Sequence, residues 1–310
     1  MSFSEDDAPL PEPAAAPQAV MSRLRVAFQG ELGAFSEEAV YQLWGDAAEP
    51  LPMQTFEDVM IAAETGAADY GLLPIESTLT GGVVHSYDLL NLHDGLRVVA
   101  EVVVEVHLAL LALPGARLAQ IRTLASHPLM LAQCTHFLAR YPEIRPQPAW
   151  DTAGAAREVR ELEDRTRAAA GTRRAAERFG LHVLQERIED RPDCQMRFLA
   201  VSRDGGSVAV GAPARSAMQC VLPQHAGALV ALLRPMADAG FNVSLLATHP
   251  TREPWRYWFF LEFDHPGGDP RVQEALAAAR RTSAEFRYLG TYPRWPVPES
   301  GVGGMLPGIF

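Results

Sequence analysis

Four short stretches of the 310-residue chain carry side chains whose types and spacing could do chemistry. Pro74-Ile75-Glu76-Ser77-Thr78 closes an apolar run, and ligands of open α/β sheets sit outside the carboxyl ends of strands. A carboxylate and two hydroxyls placed there can bind polar substrate groups. The same cluster would serve equally as an N-cap for a helix starting near Val83. Ser126-His127-Pro128 sets a hydroxyl and an imidazole at a strand-to-helix junction. There His127 is either a base or a capping residue, and no Cys or Asp stands at triad spacing nearby. Arg197 opens an apolar strand. A strand-borne guanidinium beside a cleft suits two-pronged carboxylate binding, and an ion pair with Glu186, Glu189 or Asp190 is the alternative. Gly30-x-x-Gly33, with Ser36 as the expected N-cap of the next helix, offers free helix amides to an anion. The stretch is not G-x-G-x-x-G and no Lys follows, so a simple turn competes with that reading. His107 lies inside the apolar run 98–111 and reads as a satisfied core histidine.

The elements that must position these residues follow from periodicity and punctuation. A first strand is expected over 23–29, helices over 36–44 and 56–65, and a short strand over 70–73. The run 98–111 reads as one strand buried on both faces, followed by a short strand at 123–126. A helix is expected from Pro128 to about Tyr141, with further helices over 152–163 and 168–179. Short strands at 183–184 and 197–202 complete a largely parallel sheet covered on both faces. The Gly- and Pro-bearing stretch 205–215 reads as a linker. Beyond it the order strand 216–222, helix 228–239, strands 242–248 and 257–263, helix 270–280, strand 286–291 is βαββαβ, the ferredoxin-like arrangement. The expected organisation is a disordered leader (1–23), an α/β module (24–204), a linker (205–215), a small regulatory-looking module (216–295) and a loose tail (296–310).

Composition narrows the function classes. A hydrophobic fraction of 48% with 21% charged residues is ordinary for a globular chain. The run 98–111 is broken by Glu101, Glu105 and His107, too short and too charged to span a bilayer. The first twenty residues hold no Lys or Arg, so no secretory signal is indicated. A net charge of −11 argues against a nucleic-acid surface. Three separated cysteines, Cys134, Cys194 and Cys220, form no CxxC pair. The nine histidines show no ligand spacing, so no metal is expected, and reduced cytoplasmic thiols are the plain reading.

Taken in order, these segments resemble the bacterial prephenate dehydratases over essentially all of 25–293. The loop from Gly30 to Ser36 is similar to the family's opening G-P-x-G-T-F-S. Thr55-Phe56-Glu57-Asp58-Val59, Gly66 and Tyr70-Gly71 resemble the approach to its P-I-E-N-S. Ser126-His127-Pro128 with Leu131-Ala132-Gln133-Cys134 resembles S-H-P-Q-A-L-A-Q-C. Thr152-Ala153-x-Ala155-Ala156, Gly180-Leu181 and Ile188-Glu189-Asp190 follow in family order, and Arg197-Phe198-Leu199 is similar to the end of T-R-F-L. The second module resembles the amino-acid-sensing ACT domain, through Gly227-Ala228-Leu229 and Asn242.

The resemblance implies two α/β lobes around a cleft, like type-2 periplasmic binding proteins, followed by an ACT domain. It implies a cytoplasmic lyase that converts prephenate to phenylpyruvate in phenylalanine synthesis. No cofactor is implied; an amino-acid effector and a homodimer or homotetramer are. Carried over residue by residue, Thr78, Arg197, Phe198 and the position of Met196 are catalytic. Gly33, Ser36, Glu76, Ser77, Ser126, His127, Thr152 and Thr172 line the substrate, and Gly227, Ala228, Leu229 and Asn242 bind the effector. The chain departs from the pattern at Met196, which stands where the family has the Thr assigned to protonating the leaving hydroxyl. Thr78, Ser126, Thr172 or a water could replace that acid, with Gln195 or Cys194 polarising it. Ser77-Thr78 replaces Asn-Ser, and Ala247-Thr248-His249-Pro250 replaces the E-S-R-P effector motif. The readings kept open are a working prephenate dehydratase, an arogenate dehydratase, and a weakened or non-catalytic ligand-binding homologue on the same scaffold.

Overall fold

The protein is described here from a computed structural model covering residues 23–295. The expected tail, and all but the last residue of the expected leader, lie outside the described residues. The first lobe contains β1 (Leu24–Gln29), α1 (Phe35–Trp44), β2 (Ala48–Met53), α2 (Phe56–Thr65), β3 (Tyr70–Ser77), β4 (Gly81–Gly82), α3 (Val84–Leu92) and β5 (Arg97–Glu105). Helix α2 starts where the sequence supplies a reciprocal cap. The Asp58 amide donates to Thr55 Oγ1 at 3.1 Å, and the Thr55 amide donates back to the Asp58 carboxylate at 3.1 Å. Such a cap stabilises a helix end by about 1 kcal/mol. Helix α1 differs from expectation. Its N-cap is Ala34 rather than Ser36, which already lies in the first turn, because Phe35 is drawn into the core and starts the helix two residues earlier.

The chain then crosses to a second lobe made of β6 (Ala109–Ala112), β7 (Thr123–Ser126), α4 (Pro128–Leu131), α5 (Thr135–Arg140), β8 (Arg145–Pro148), α6 (Thr152–Leu162), β9 (Arg167–Gly171), α7 (Arg173–Phe179) and β10 (His182–Gln185). It returns to the first lobe as β11 (Gln195–Ser202), which lies between β3 and β5. Strand orders are β2-β1-β3-β11-β5 and β10-β6-β9-β7-β8. These are the two lobes and two crossings of the type-2 periplasmic-binding-protein arrangement.

Four expectations differ from the structure. The run 98–111 is two strands in two different sheets, with residues 106–108 as the crossing. The sheets are mixed, because β11 runs antiparallel to β3 and β5 in the first lobe and β6 runs antiparallel to β9 and β10 in the second. Residues 168–171 form a central strand despite the helix propensity of alanine, since small side chains let both faces of that sheet pack tightly. The helix expected over 128–141 is likewise split, at 132–134.

The second module holds β12 (Pro213–Val221), α8 (Ala228–Asp238), β13 (Asn242–Pro250), β14 (Tyr257–Pro266), α9 (Arg271–Thr282) and β15 (Glu285–Pro293), in the sheet order β13-β14-β12-β15. This is the ferredoxin-like βαββαβ topology. Strand β12 takes in residues 213–215 of the expected linker, because antiparallel pairing with 264–266 carries the ladder past the Gly-rich break. One face of the sheet packs on α8 and α9 through Met218, Leu232, Phe263 and Leu276. The other face shares a core with the first lobe, where Ala217, Phe260, Leu289 and Tyr292 meet Leu73, Val98, Leu199 and Val201. Contact is so close that a Cβ on Gly290 would lie 2.3 Å from the Val98 carbonyl oxygen.

Candidate functional site

The topology places six strand ends at the boundary between the lobes. They are the carboxyl ends of β1, β3, β7, β8 and β9, and the amino end of the antiparallel β11. Gly30–Gly33, Ser77-Thr78, Ser126-His127, Thr152 and Thr172, and Met196 are carried there by these strands. Two hydrogen-bonded contacts join the lobes directly, beside the Arg174 guanidinium of α7, which lies 4.4 Å over the Tyr41 ring of α1. Thr172 Oγ1 donates to the Gly33 carbonyl at 2.6 Å, and Arg157 forks onto Glu31 at 2.7 and 2.8 Å. Gly33 has φ +102°, and a Cβ there would stand 3.0 Å from Ala175 Cα, so only glycine permits this approach. Between the lobes lie cavities of about 560 Å³, lined by Gln29, Gln54, Thr55, Trp150 and Asp151, and about 380 Å³, lined by Glu38, His107, Thr172 and Arg173.

Most of the candidate hydroxyls are already committed. Ser126 Oγ is fully buried and donates to the Ala170 carbonyl at 2.8 Å. Ser77 Oγ accepts from the Leu79 amide at 3.2 Å. Thr172 both donates to Gly33 and caps α7 by accepting from the Ala175 amide. Thr152 is buried in the first turn of α6, whose cap is Asp151. His127 caps α4 through the Leu129 amide, as one sequence reading had it. Burial lowers its pKa and the nearby Asp151 opposes that shift, which favours the neutral ring. Thr78 differs from these in being exposed: its hydroxyl accepts from the Gln195 amide at 3.0 Å and donates only over a long 3.5 Å to the Gln195 carbonyl. Met196 is half-buried and pairs with Ser77 and Val104 across the sheet. Cys194 stands beside the two hydroxyls. Burial pushes its thiol pKa up, and Thr78 and Ser77 pull it partly back.

Two candidates are engaged within the protein itself, and for Arg197 this is the ion-pair reading with other partners. Phe198 is wholly buried in the core with Phe28 and Val102, so it supports the strand and faces no cavity. Arg197 is engaged by acids rather than free for a ligand: Nη1 reaches Glu101 at 2.9 Å and Nη2 reaches Glu262 at 2.7 Å, with Glu76 at 3.4 Å. The partners first considered for it are occupied elsewhere. Glu186 pairs with Arg173, Glu189 with His107, and Asp190 holds the start of α5. The signal for the true partners was in the sequence. Glu101 inside 98–104 and Glu262 inside 259–263 are charges within apolar strands, and a buried charge demands a partner.

In the second module Gly227 is the exposed N-cap of α8 with Ala228 and Leu229 behind it, and Asn242 opens β13. These groups flank the 11-residue α8 and so stand ~16 Å apart along its axis. A single chain does not bring them together.

The prephenate dehydratase family model matches residues 26–206. The chain belongs to the prephenate dehydratase family. It is 33% identical to a prephenate dehydratase of Mycobacterium tuberculosis over 285 residues, covering 88% of each chain. It is also 33% identical to arogenate dehydratase 1 of Petunia hybrida over 288 residues, covering 88% of this chain and 67% of that one. Two solved structures superpose with TM-scores of 0.80. One is the prephenate dehydratase of Arthrobacter aurescens in complex with L-Phe, at 32% identity over 87% of this chain and 90% of that one. The other is GqqA, described as a quorum-quenching acylase, at 30% identity over 88% of this chain and 98% of that one. Among the described residues no group of His, Cys, Asp and Glu is placed to hold a metal ion, and no helix is long and apolar enough to cross a membrane.

Proposed function

We propose that this chain catalyses the decarboxylating dehydration of prephenate to phenylpyruvate. The ring carboxylate leaves as CO2, its electron pair enters the ring, and the 4-hydroxyl leaves with one added proton as water. Aromatisation drives the reaction, so the protein must hold a dianion and deliver that proton. The observation that carries the reading is the exposed Thr78 hydroxyl, bonded to Gln195 beside Met196 at the interlobe strand ends. Met196 has no proton to give. Ser126 and Thr172 spend theirs on Ala170 and Gly33. Ser77 keeps its proton but is buried, so the exposed Thr78, whose donor bond to the Gln195 carbonyl is a long 3.5 Å, is the general acid in this reading. Gly33, Ser36, Glu76, Ser77, His127 and Thr152 shape the surrounding pocket.

Residues 24–204 are the dehydratase unit in this proposal, and 216–295 an ACT-like unit whose first strand begins at Pro213. Gly227, Ala228, Leu229 and Asn242 form an amino-acid effector site only between two copies, since α8 separates them within one. The enzyme is accordingly a cytoplasmic homodimer or homotetramer.

The test is phenylpyruvate formation by the purified chain, with prephenate and arogenate run side by side. Turnover of prephenate above the spontaneous rate is expected. Phenylalanine formed from arogenate in preference would move the substrate assignment. Activity that appears only on Met196→Thr would show the natural chain to be a non-catalytic homologue.

A further inference from the structure

Behind the β11 end of that site lies a set of buried charges shared with the second module. Arg197 donates to Glu101 on β5 and to Glu262 on β14, at 2.9 and 2.7 Å. Arg215 on β12 reaches the same Glu101 oxygen at 2.8 Å and Asp264 at 2.7 Å. Tyr292 on β15 donates to the other Glu262 oxygen at 2.7 Å, and the Trp295 amide to the other Glu101 oxygen at 2.9 Å. The side chains of Glu262 and Glu101 are 0% and 2% exposed. Burial opposes the charge on Arg197, but Glu262, Tyr292 and Glu101 outweigh it and hold the guanidinium ionised.

Stability alone does not account for this arrangement. Buried ion pairs are commonly no better than apolar side chains of the same volume, and Arg197 Nε is left buried without a partner. What the cluster does supply is register. The pairing of β11 with β3 shifts by one residue between Arg197 and Phe198, next to Met196 and Gln195. The guanidinium clamped from β5, β14 and β3 belongs to the residue at which that shift begins. We propose that Glu262, acting through Arg197, is a positioning residue of the dehydratase site, by which the second module holds Gln195 and Met196 against Thr78. The inference rests on the dehydratase reading of that site.

The test uses the full chain with Glu262→Gln, which keeps shape and removes charge, and Tyr292→Phe, which removes one bond to Glu262. Glu253→Gln, in an exposed pair with Arg256 on the same module, is the control. For Glu262→Gln the expectation is a loss of roughly tenfold or more in kcat with KM within about twofold. Faster amide exchange over 77–82 and 194–198 is expected, with exchange in α8 unchanged; Tyr292→Phe should show the same pattern more weakly. A folded Glu262→Gln with wild-type kcat and exchange overturns the proposal, as does a loss carried wholly by KM. If Glu262→Gln does not fold, Tyr292→Phe decides by the same readouts, and its matching wild type overturns the proposal. Should wild type lack turnover, the dehydratase reading falls, and the exchange contrast alone then decides the positioning role.

Discussion

At the scale of single residues the chemistry turns on which hydroxyl still has a proton to spend. Ser126 and Thr172 donate to buried backbone carbonyls and Ser77, which only accepts, is itself buried, whereas Thr78 is exposed and its donor bond to the Gln195 carbonyl is a long 3.5 Å. Replacing Thr78 by Val keeps the branched shape and removes the donor. Loss of a general acid costs about a hundred- to ten-thousand-fold, so kcat for prephenate should fall by at least ~100-fold with little change in melting temperature. Met196 is paired in register with Ser77, next to Thr78, and Met196→Thr should raise kcat, by up to about a hundredfold if the new hydroxyl takes over protonation. Steady-state assays of phenylpyruvate check both. Thr78 was readable from sequence because a Glu-Ser-Thr cluster closes an apolar run. That Ser126 spends its proton on Ala170 was not, because that carbonyl is 44 residues away.

At the scale of elements, α7 ties the lobes together at its first turn. Thr172 caps that helix and donates to the Gly33 carbonyl, with both groups buried. Thr172→Val would leave the Ala175 amide and the Gly33 carbonyl without partners, at a cost of about 1–3 kcal/mol. A lower melting temperature and faster exchange at 30–36 are expected, with Thr172→Ser restoring most of both. The crossing at 106–108 shows why element boundaries were harder to read than element types. A continuous apolar run is compatible with one long strand, and only the neighbours in space show that β5 and β6 belong to different sheets. The alanine-rich β9 misled in the same way, since propensity favours helix while its place between β6 and β7 requires a strand.

At the scale of the whole molecule the second module is packed against the first lobe through a shared apolar core and the charges around Arg197. The same junction holds His249, nearly inaccessible, with Nδ1 at 2.6 Å from Asp88 of α3 and its ring stacked on Tyr87. Burial lowers the His249 pKa below 6.5 and Asp88 opposes that shift. A histidine with a depressed folded pKa binds protons more readily when unfolded. The stability it contributes is therefore complete above about pH 6.5 and declines as pH falls through the unfolded value. Melting temperature should fall between about pH 7.5 and pH 5.5, and His249→Gln should flatten that dependence. An unchanged slope in the variant would remove His249 as its source.

The α/β class, the βαββαβ order of the second module and the strand-end motifs were all legible in the chain, because hydrophobic period and Gly/Pro punctuation are local properties. So was the need of Glu101 and Glu262 for partners, since a charge inside an apolar strand cannot be left unpaired. Which partner each takes is a matter of strands that are far apart in sequence and adjacent in space. Arg197 reads from sequence either as a ligand-binding arm or as half of an ion pair with Glu186, Glu189 or Asp190, and folding pairs it instead with Glu101, 96 residues away, and Glu262, 65 residues away. Phe198 goes to the core by the same logic, since side chains alternate along a strand and its neighbour faces the other way. Local pattern decides what each segment becomes, and only the packing of three sheets decides which side chains are left free to act.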